Sequence, residues 1–243
     1  MKKEFGIQLY SVRDISAKSL EDALKGVSDL GYKYVEFAGF FGHTAEQVNE
    51  MLKKYDLTVV GAHSGVQDLC PEKIEETVRF HKAIQNPMYI IPWADFSSQE
   101  KLDDFITLVN QAQPILADAG IQLAYHNHSF EYEMMPCGST AFSQLEKKTN
   151  LDFELDTYWI YNAGLDPVEE MKRLRERVKL IHIKDGFTGG EGVPLGRGTA
   201  PVEAVYRTAL DLGDTIIVES ETLTPDGMTE AKECIEYLRK LDA

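Results

Sequence analysis

Four short segments in the second half of the chain concentrate the side chains that bind metals and move protons. Tyr125-His126-Asn127-His128-Ser129-Phe130-Glu131 offers two imidazoles and a carboxylate. Glu154 and Asp156 follow, then His182, Lys184 and Asp185, and finally Glu219 and Glu221. Each group stands at the end of an apolar run that reads as a strand. Carboxylates are depleted in strands, and a buried one without a partner is costly enough that it normally finds a metal or an opposite charge. A carboxylate-rich site with an imidazole suits one hard or borderline divalent ion: Mn²⁺, Mg²⁺, Co²⁺ or Zn²⁺. Side chains alternate along a strand, so if Asp156 points inward Glu154 does too, and His182 and Lys184 share a face in the same way. Lys184 would then pair with Glu154 or reach a substrate oxygen.

The elements that position these residues follow a simple rhythm. Eight candidate strands, Phe5–Tyr10, Tyr34–Phe37, Thr58–Ala62, Met88–Pro92, Gln122–His126, Asp152–Leu155, Leu180–Ile183 and Thr215–Val218, alternate with segments of helical periodicity. In Ser19–Leu30 the apolar positions Leu20, Ala23, Leu24, Val27 and Leu30 form one stripe, with Ser19 placed to cap the helix and Gly31 to end it. Thr44 and Gln47 form a capping-box pair, and Pro114 predicts a kink or break in the helix near Gln99–Ala119. Strand–helix alternation implies a parallel sheet. No glycine-rich turn follows the first strand, which disfavours an open dinucleotide-binding sheet. The reading is therefore a single (β/α)₈ TIM barrel spanning residues 1–243, of the α/β class, with its active site at the C-terminal strand ends. The segment Gly186–Gly198, with six glycines, would be a mobile loop on that face.

Composition narrows the partners. The chain carries 25 Lys+Arg against 40 Asp+Glu, a formal charge of −15, so a nucleic acid is a poor partner. No apolar stretch approaches the roughly 18 residues that span a bilayer, and the N-terminus lacks the pattern of a signal peptide. Cys70, Cys137 and Cys234 are too few and too scattered for a disulfide framework. A cytoplasmic protein acting on a small molecule, without membrane or nucleic-acid partners, is expected.

Taken in order and spacing, the H-N-H-x-F-E, L-D-T-Y-W, H-I-K-D and V-E-S segments resemble the xylose-isomerase-like sugar phosphate isomerase/epimerase superfamily, across essentially the whole chain. The resemblance implies one divalent metal held by an acidic residue on strand five, an Asp on strand six, a His on strand seven and a Glu on strand eight. Asp156, His182 and Glu219 match the last three. On strand five the ketose epimerases carry the ligand where this chain has Tyr125, and Glu131 matches a later Glu of the motif. Glu131 is then the ligand or acid/base, with His126 or His128 as substitute ligand. Glu131, Glu219 and Lys184 are the catalytic candidates. The ion would bind a sugar carbonyl and its adjacent hydroxyl, acidify the intervening C–H and stabilise an enediolate, with one carboxylate removing the proton and a second group returning it.

Other positions supply a substrate wall. His63 follows strand three, Tyr10 and Trp93 stand at strand ends, and Trp159 replaces a substrate-binding His of the epimerases. Gly196-Arg197-Gly198 resembles a family motif placed near the substrate, where Arg197 would bind a phosphate or carboxylate. His43 and His81 fall near helical surface segments. The expected activity is that of a sugar, keto-sugar or sugar phosphate isomerase or epimerase. A lyase of the inosose-dehydratase or keto-glycoside kind would use the same intermediate, and a sugar-binding barrel without chemistry is a third possibility. Endonuclease IV belongs to the same superfamily, but six histidines and the −15 charge argue against a three-metal phosphodiesterase. A short-looped barrel leaves its site open, so a homodimer that closes it is expected.

Overall fold

The computed structural model describes residues 3–190 and 192–243. Eight parallel strands, β1 (Gly6–Gln8), β2 (Tyr34–Ala38), β3 (Thr58–His63), β4 (Met88–Ile91), β5 (Gln122–His126), β6 (Asp152–Asp156), β7 (Val178–Ile183) and β8 (Thr215–Val218), close into a barrel in sequence order. All eight expected strands are present. Helices α1 (Leu20–Leu30), α2 (Ala45–Lys54), α3 (Ile74–Ala83), α4 (Gln99–Asp118), α5 (Ala141–Lys148), α6 (Thr157–Asn162), α7 (Pro167–Leu174), α8 (Val202–Leu212) and α9 (Gly227–Leu241) lie on the connections. Among the described residues no helix is long and apolar enough to cross a membrane.

Local chemistry sets the helix ends. Ser19 Oγ accepts the Asp22 amide, Gly31 closes α1 at φ 93°, and Thr44 and Gln47 complete a reciprocal capping box. The expected break at Pro114 does not occur, and α4 runs through it. Pro114 and Asn110 both stand away from the buried face of α4, where water can take the carbonyl that the proline leaves without its amide.

Two packing zones result from strand alternation. Outward residues such as Phe37, Tyr125, Phe153, Leu155 and Ile183 join the helices in one large core. Inward, Met88, Ile90, Ala124, Leu180 and Ile217 form a small apolar plug. Above that plug the inward positions turn polar: Gln8, Glu36, His126, Glu154 and His182 are all buried. Gly61 makes this possible on β3. It pairs with Glu36 beside a register shift at Val35/Glu36, and an added Cβ would meet Ile90 at 2.6 Å and Glu36 Oε2 at 3.0 Å.

Candidate active site

Inward side chains at the C-terminal strand ends converge in two layers. In the upper layer Asp156, His182, Glu219 and His126 bring one ligand atom each within 4.8 Å of one another, and all four are buried. In the lower layer His63, His126, Glu154 and His182 also bring one ligand atom each within 4.8 Å of one another, with His63 half-buried and the other three buried. The expected parity holds: Glu154 and Asp156 both face in, as do His182 and Lys184. His182 sits between the layers, its Nδ1 3.2 Å from Glu219 Oε2 and its Nε2 2.9 Å from Glu36 Oε1.

The upper layer has the donors a divalent ion requires. Asp156 uses Oδ1 to accept the Trp159 amide at 2.9 Å, capping α6, while its buried Oδ2 has no hydrogen-bond partner among the described residues. An orphaned buried carboxylate oxygen beside an imidazole and a second carboxylate fits a cation. Glu219 also lines the pocket above, a cavity of about 430 Å³ bounded by Tyr10, Trp93, His63, His126, His128 and Glu221 among others. That volume is within the roughly 300–1,000 Å³ of small-molecule sites. Trp93 and Tyr10 are 56% and 44% exposed, presenting aromatic faces at the mouth.

Comparison with known proteins agrees with the geometry. The family model described as xylose isomerase-like TIM barrel matches residues 24–241. The chain belongs to this family. A sugar phosphate isomerase/epimerase from Parabacteroides distasonis superposes with a TM-score of 0.84 at 23% identity, covering 97% of each chain. D-allulose 3-epimerase from a Methylomonas species gives 0.74 at 15% identity, covering 98% of this chain and 97% of that one. The probable 3-DHS dehydratase of Bacillus anthracis gives 0.75 at 14% identity, covering 97% and 99%. At these identities the three share a fold with the chain, and no curated protein matches its sequence.

Within this xylose isomerase-like barrel the charges of the site are set by burial and close neighbours. Burial lifts Asp156 to about 7, against the pull of Lys184. Burial would also raise Glu219, but Lys184 and His182 outweigh it and hold the carboxylate well below its usual range. In the lower layer burial raises Glu154, reinforced by the neighbouring Glu36. Burial opposes charging of His63, yet Glu36 and Glu154 overcome it and lift the imidazole to about 10. His126 is kept neutral by burial and by His182 and His63. Burial likewise lowers His128 to about 4.

Not every expected residue joins the site. Glu131 is buried but lies outside both ligand groups. Its carboxylate accepts the Tyr125 hydroxyl and the His128 amide, each at 2.7 Å. Tyr125 points away from the barrel axis, so a bond to it draws Glu131 behind β5, and His126 takes the inward position. Arg197 pairs with Glu233 on α9 at 2.7 Å and is exposed, away from the pocket lining. Lys184 does not pair with Glu154, which lies one layer deeper. Its ammonium is 2.6 Å from Glu221, 3.6 Å from Glu219 and 3.8 Å from Asp156, and it lies over the Trp159 ring. His81 is buried, not superficial, with Nδ1 2.9 Å from Asn86 Nδ2. His43 stays on the periphery, its Nδ1 2.9 Å from the Phe40 carbonyl.

The loop after β7 is tied down rather than free. Asp185 accepts the amides of Gly186, Gly196, Gly198 and Ala200 at 2.8–3.2 Å. The Tyr158 hydroxyl donates to Gly190 O at 2.8 Å, and Asp185–Gly186 pairs with Gly192–Val193 as a small hairpin. Gly196-Arg197-Gly198 thus supplies amides to a carboxylate of its own loop. Gln8 and Glu36 went unrecognised in the sequence as site residues. The available signal was a carboxylate flanked by Val35 and Phe37 in an apolar strand, which an eightfold barrel directs inward.

Proposed function

We propose that this barrel is a divalent-metal-dependent isomerase or epimerase of an unphosphorylated keto-sugar. The observation that carries the reading is the convergence of Asp156, His182 and Glu219 beneath a carbohydrate-sized pocket. A metal held by these three residues, with His126 in reach, supplies Lewis acidity toward a vicinal carbonyl and hydroxyl. The structural likeness to a D-allulose 3-epimerase supports the same class of chemistry.

The chain's own groups divide the remaining work. Tyr10 and Trp93 stack on the sugar ring at the mouth, and His63 and His128, reaching the pocket wall, hydrogen-bond its hydroxyls. Glu219, held ionised by Lys184 and His182, accepts the proton from carbon. The Lys184 ammonium, 3.6 Å from Glu219 and 2.6 Å from Glu221, relays that proton from one carboxylate to the other and stays charged itself, so that Glu221 on the pocket wall returns it to the other carbon or the other face. Glu131 positions His128 by accepting its backbone amide and has no direct part in proton transfer. Among the described residues that line the pocket none is Lys or Arg, which favours a neutral sugar over a sugar phosphate.

Elimination of the inosose-dehydratase kind is the second reading, favoured by the same Lys184–Glu221 pair, which is placed to protonate a departing hydroxyl or alkoxide. Incubation with Mn²⁺ in deuterated water across a panel of ketoses and inososes tests both. Isomerase or epimerase action washes deuterium into a substrate carbon, elimination yields an ultraviolet-absorbing enone, and chelator abolishes either. A panel with neither signal refutes the assignment.

A further inference from the structure

Beside the site cavity lies a second one that the proposed chemistry leaves unused. It has a volume of about 390 Å³ and is bounded by the loop after β2 and by α3. Ser64, next after β3, borders both cavities, and Gly39 on the wall of the first is joined by one peptide bond to Phe40 on the wall of the second. The loop is folded to line it. Gly39 and Gly42 take φ of 91° and 77°, a region open to glycine at little cost, and His43 Nδ1–H donates to the Phe40 carbonyl at 2.9 Å. Phe40 packs against Phe37, with ring centroids 4.9 Å apart, and edge-on to Phe80 at 4.6 Å.

The wall carries a donor without an acceptor. Asn86 Nδ2 donates to the Met88 carbonyl at 2.7 Å, which fixes the direction of its amide, and also donates to His81 Nδ1 at 2.9 Å. Burial keeps this imidazole neutral, so its one proton stands on Nε2. His81 is 4% exposed and lines the cavity, yet among the described residues its Nε2–H has no hydrogen-bond partner. A buried N–H beside a cavity calls for an acceptor within it.

The other walls define what that acceptor belongs to. Phe40 and Phe80 are half-buried and offer ring surface, while Asp68 and Glu76 supply carboxylates. Lys73, the one Lys or Arg among the described residues of the lining, is paired with Asp68 at 3.0 Å. Surplus negative charge disfavours a phosphate or carboxylate, and unpaired acceptors call for donors on the ligand. An aryl group would leave His81 Nε2–H unmet. A ring with an apolar face and oxygens that both accept and donate is a neutral sugar.

We infer that this cavity is a subsite for a second sugar ring, so that the substrate is a keto-sugar joined to another sugar rather than a free monosaccharide. The inference rests on the reaction proposed for the first cavity and names its substrate class. The reacting ring occupies the cavity that Glu219 lines, and the second ring passes Ser64 to pack on Phe40 and Phe80. There it accepts His81 Nε2–H on an oxygen and donates a hydroxyl to Glu76.

Isothermal titration calorimetry of the Mn²⁺-loaded protein tests this without turnover, comparing D-fructose with the keto-disaccharides lactulose, turanose, maltulose and isomaltulose. At least one disaccharide should bind about tenfold more tightly than D-fructose, one molecule per chain. Phe80→Ala and His81→Leu should bring that affinity down to the level of D-fructose and leave D-fructose binding unchanged. Should either variant fail to fold, Glu76→Gln, an exposed substitution, should still weaken the disaccharide several-fold. D-fructose binding with no gain for any disaccharide overturns the subsite and leaves the proposed function standing, as does a gain that Phe80→Ala and Glu76→Gln leave intact. Two D-fructose molecules per chain without that gain would make the cavity a separate site and overturn the inference equally. Binding of no sugar at all overturns both readings.

Discussion

Replacing Glu131 by Gln separates two roles that the sequence left open for this residue. If Glu131 were a metal ligand, the substitution would remove bound metal and activity together. The structure places it behind β5, where it accepts the Tyr125 hydroxyl and the His128 amide. Burial raises its carboxyl from the ordinary 4.5 to about 7, against the opposing pull of those two bonds. A carboxyl whose pKa is raised on folding binds its proton more tightly in the native state. The folded protein is therefore favoured while Glu131 is protonated and loses stability as pH rises from 4.5 to about 7. At about 1.4 kcal/mol per pH unit, the loss reaches roughly 3 kcal/mol above pH 7.

The Glu131→Gln variant would escape that penalty while keeping both contacts. The new carbonyl oxygen can accept the His128 amide, and the new amide group can donate to the Tyr125 oxygen. Neutral hydrogen bonds are weaker than charge-assisted ones by about 1 kcal/mol, so the net gain above pH 7 is about 1–3 kcal/mol, or roughly 2–6 °C in Tm for a chain of this length. Below pH 4.5 the two proteins should unfold alike. Thermal and urea unfolding at about pH 4 and about pH 8.5, on either side of this window, with Mn²⁺ counted by elemental analysis, gives both readouts. Loss of bound Mn²⁺ in Glu131→Gln, or lower stability than the native protein on the alkaline side, refutes the reasoning.

Three further outcomes follow from named contacts. Lys184→Met removes the ammonium that stands among Asp156, Glu219 and Glu221, so the metal-free protein should lose about 3–5 kcal/mol, part of it recovered on adding Mn²⁺; equal unfolding midpoints in chelator would contradict this. Burial holds His81 at about 4, so the native protein should lose up to roughly 3 kcal/mol as pH falls from 6.5 to about 4, where the unfolded chain takes up the proton first. His81→Leu should flatten that difference, and parallel acid curves for the two proteins would show the idea to be mistaken. Gly198→Ala pushes a methyl group onto the Asp185 carboxylate and the Gly186 backbone, so the loop after β7 should become susceptible to limited proteolysis and turnover should fall at least several-fold; unchanged resistance with unchanged turnover would sink the claim.

Periodicity and parity carry a long way in this fold and stop at a definite place. The strands were legible because each is a short β-branched run between helical stripes, and the inward direction of Asp156, His182 and Lys184 followed from alternation along β6 and β7. Layer depth was not legible. Glu154 and Asp156 share a face, yet the single step of the pleat that separates them places one with His63 and the other with Glu219, and only the stagger of neighbouring strands decides which strand end each one meets. The same stagger defeated the pairing of Lys184 with Glu154. Glu131 failed for a different reason. It lies past the end of β5, where alternation no longer applies, and its direction is set by bonds to Tyr125 and His128 that no spacing rule anticipates.

The acidity of the chain takes on a specific meaning at this barrel end. Five carboxylates meet here with one lysine, and the walls around them admit little water: Glu36, Glu154 and Asp156 are wholly buried. Such a concentration is unfavourable unless cations enter or protons remain. Proton retention would leave the network sensitive to pH and poorly directed. Cation entry would let Asp156 and Glu219 turn their oxygens to an ion, with Glu221 on the wall of the substrate cavity and Lys184 buried behind it. On the proposed function the charge imbalance is what draws the metal, and metal affinity and metal-free instability should rise and fall together. A substitution that relieves the imbalance, such as Glu221→Gln, should make the metal-free protein more stable and weaken its hold on Mn²⁺, whereas movement of both in the same direction would show that Glu221 acts only through packing.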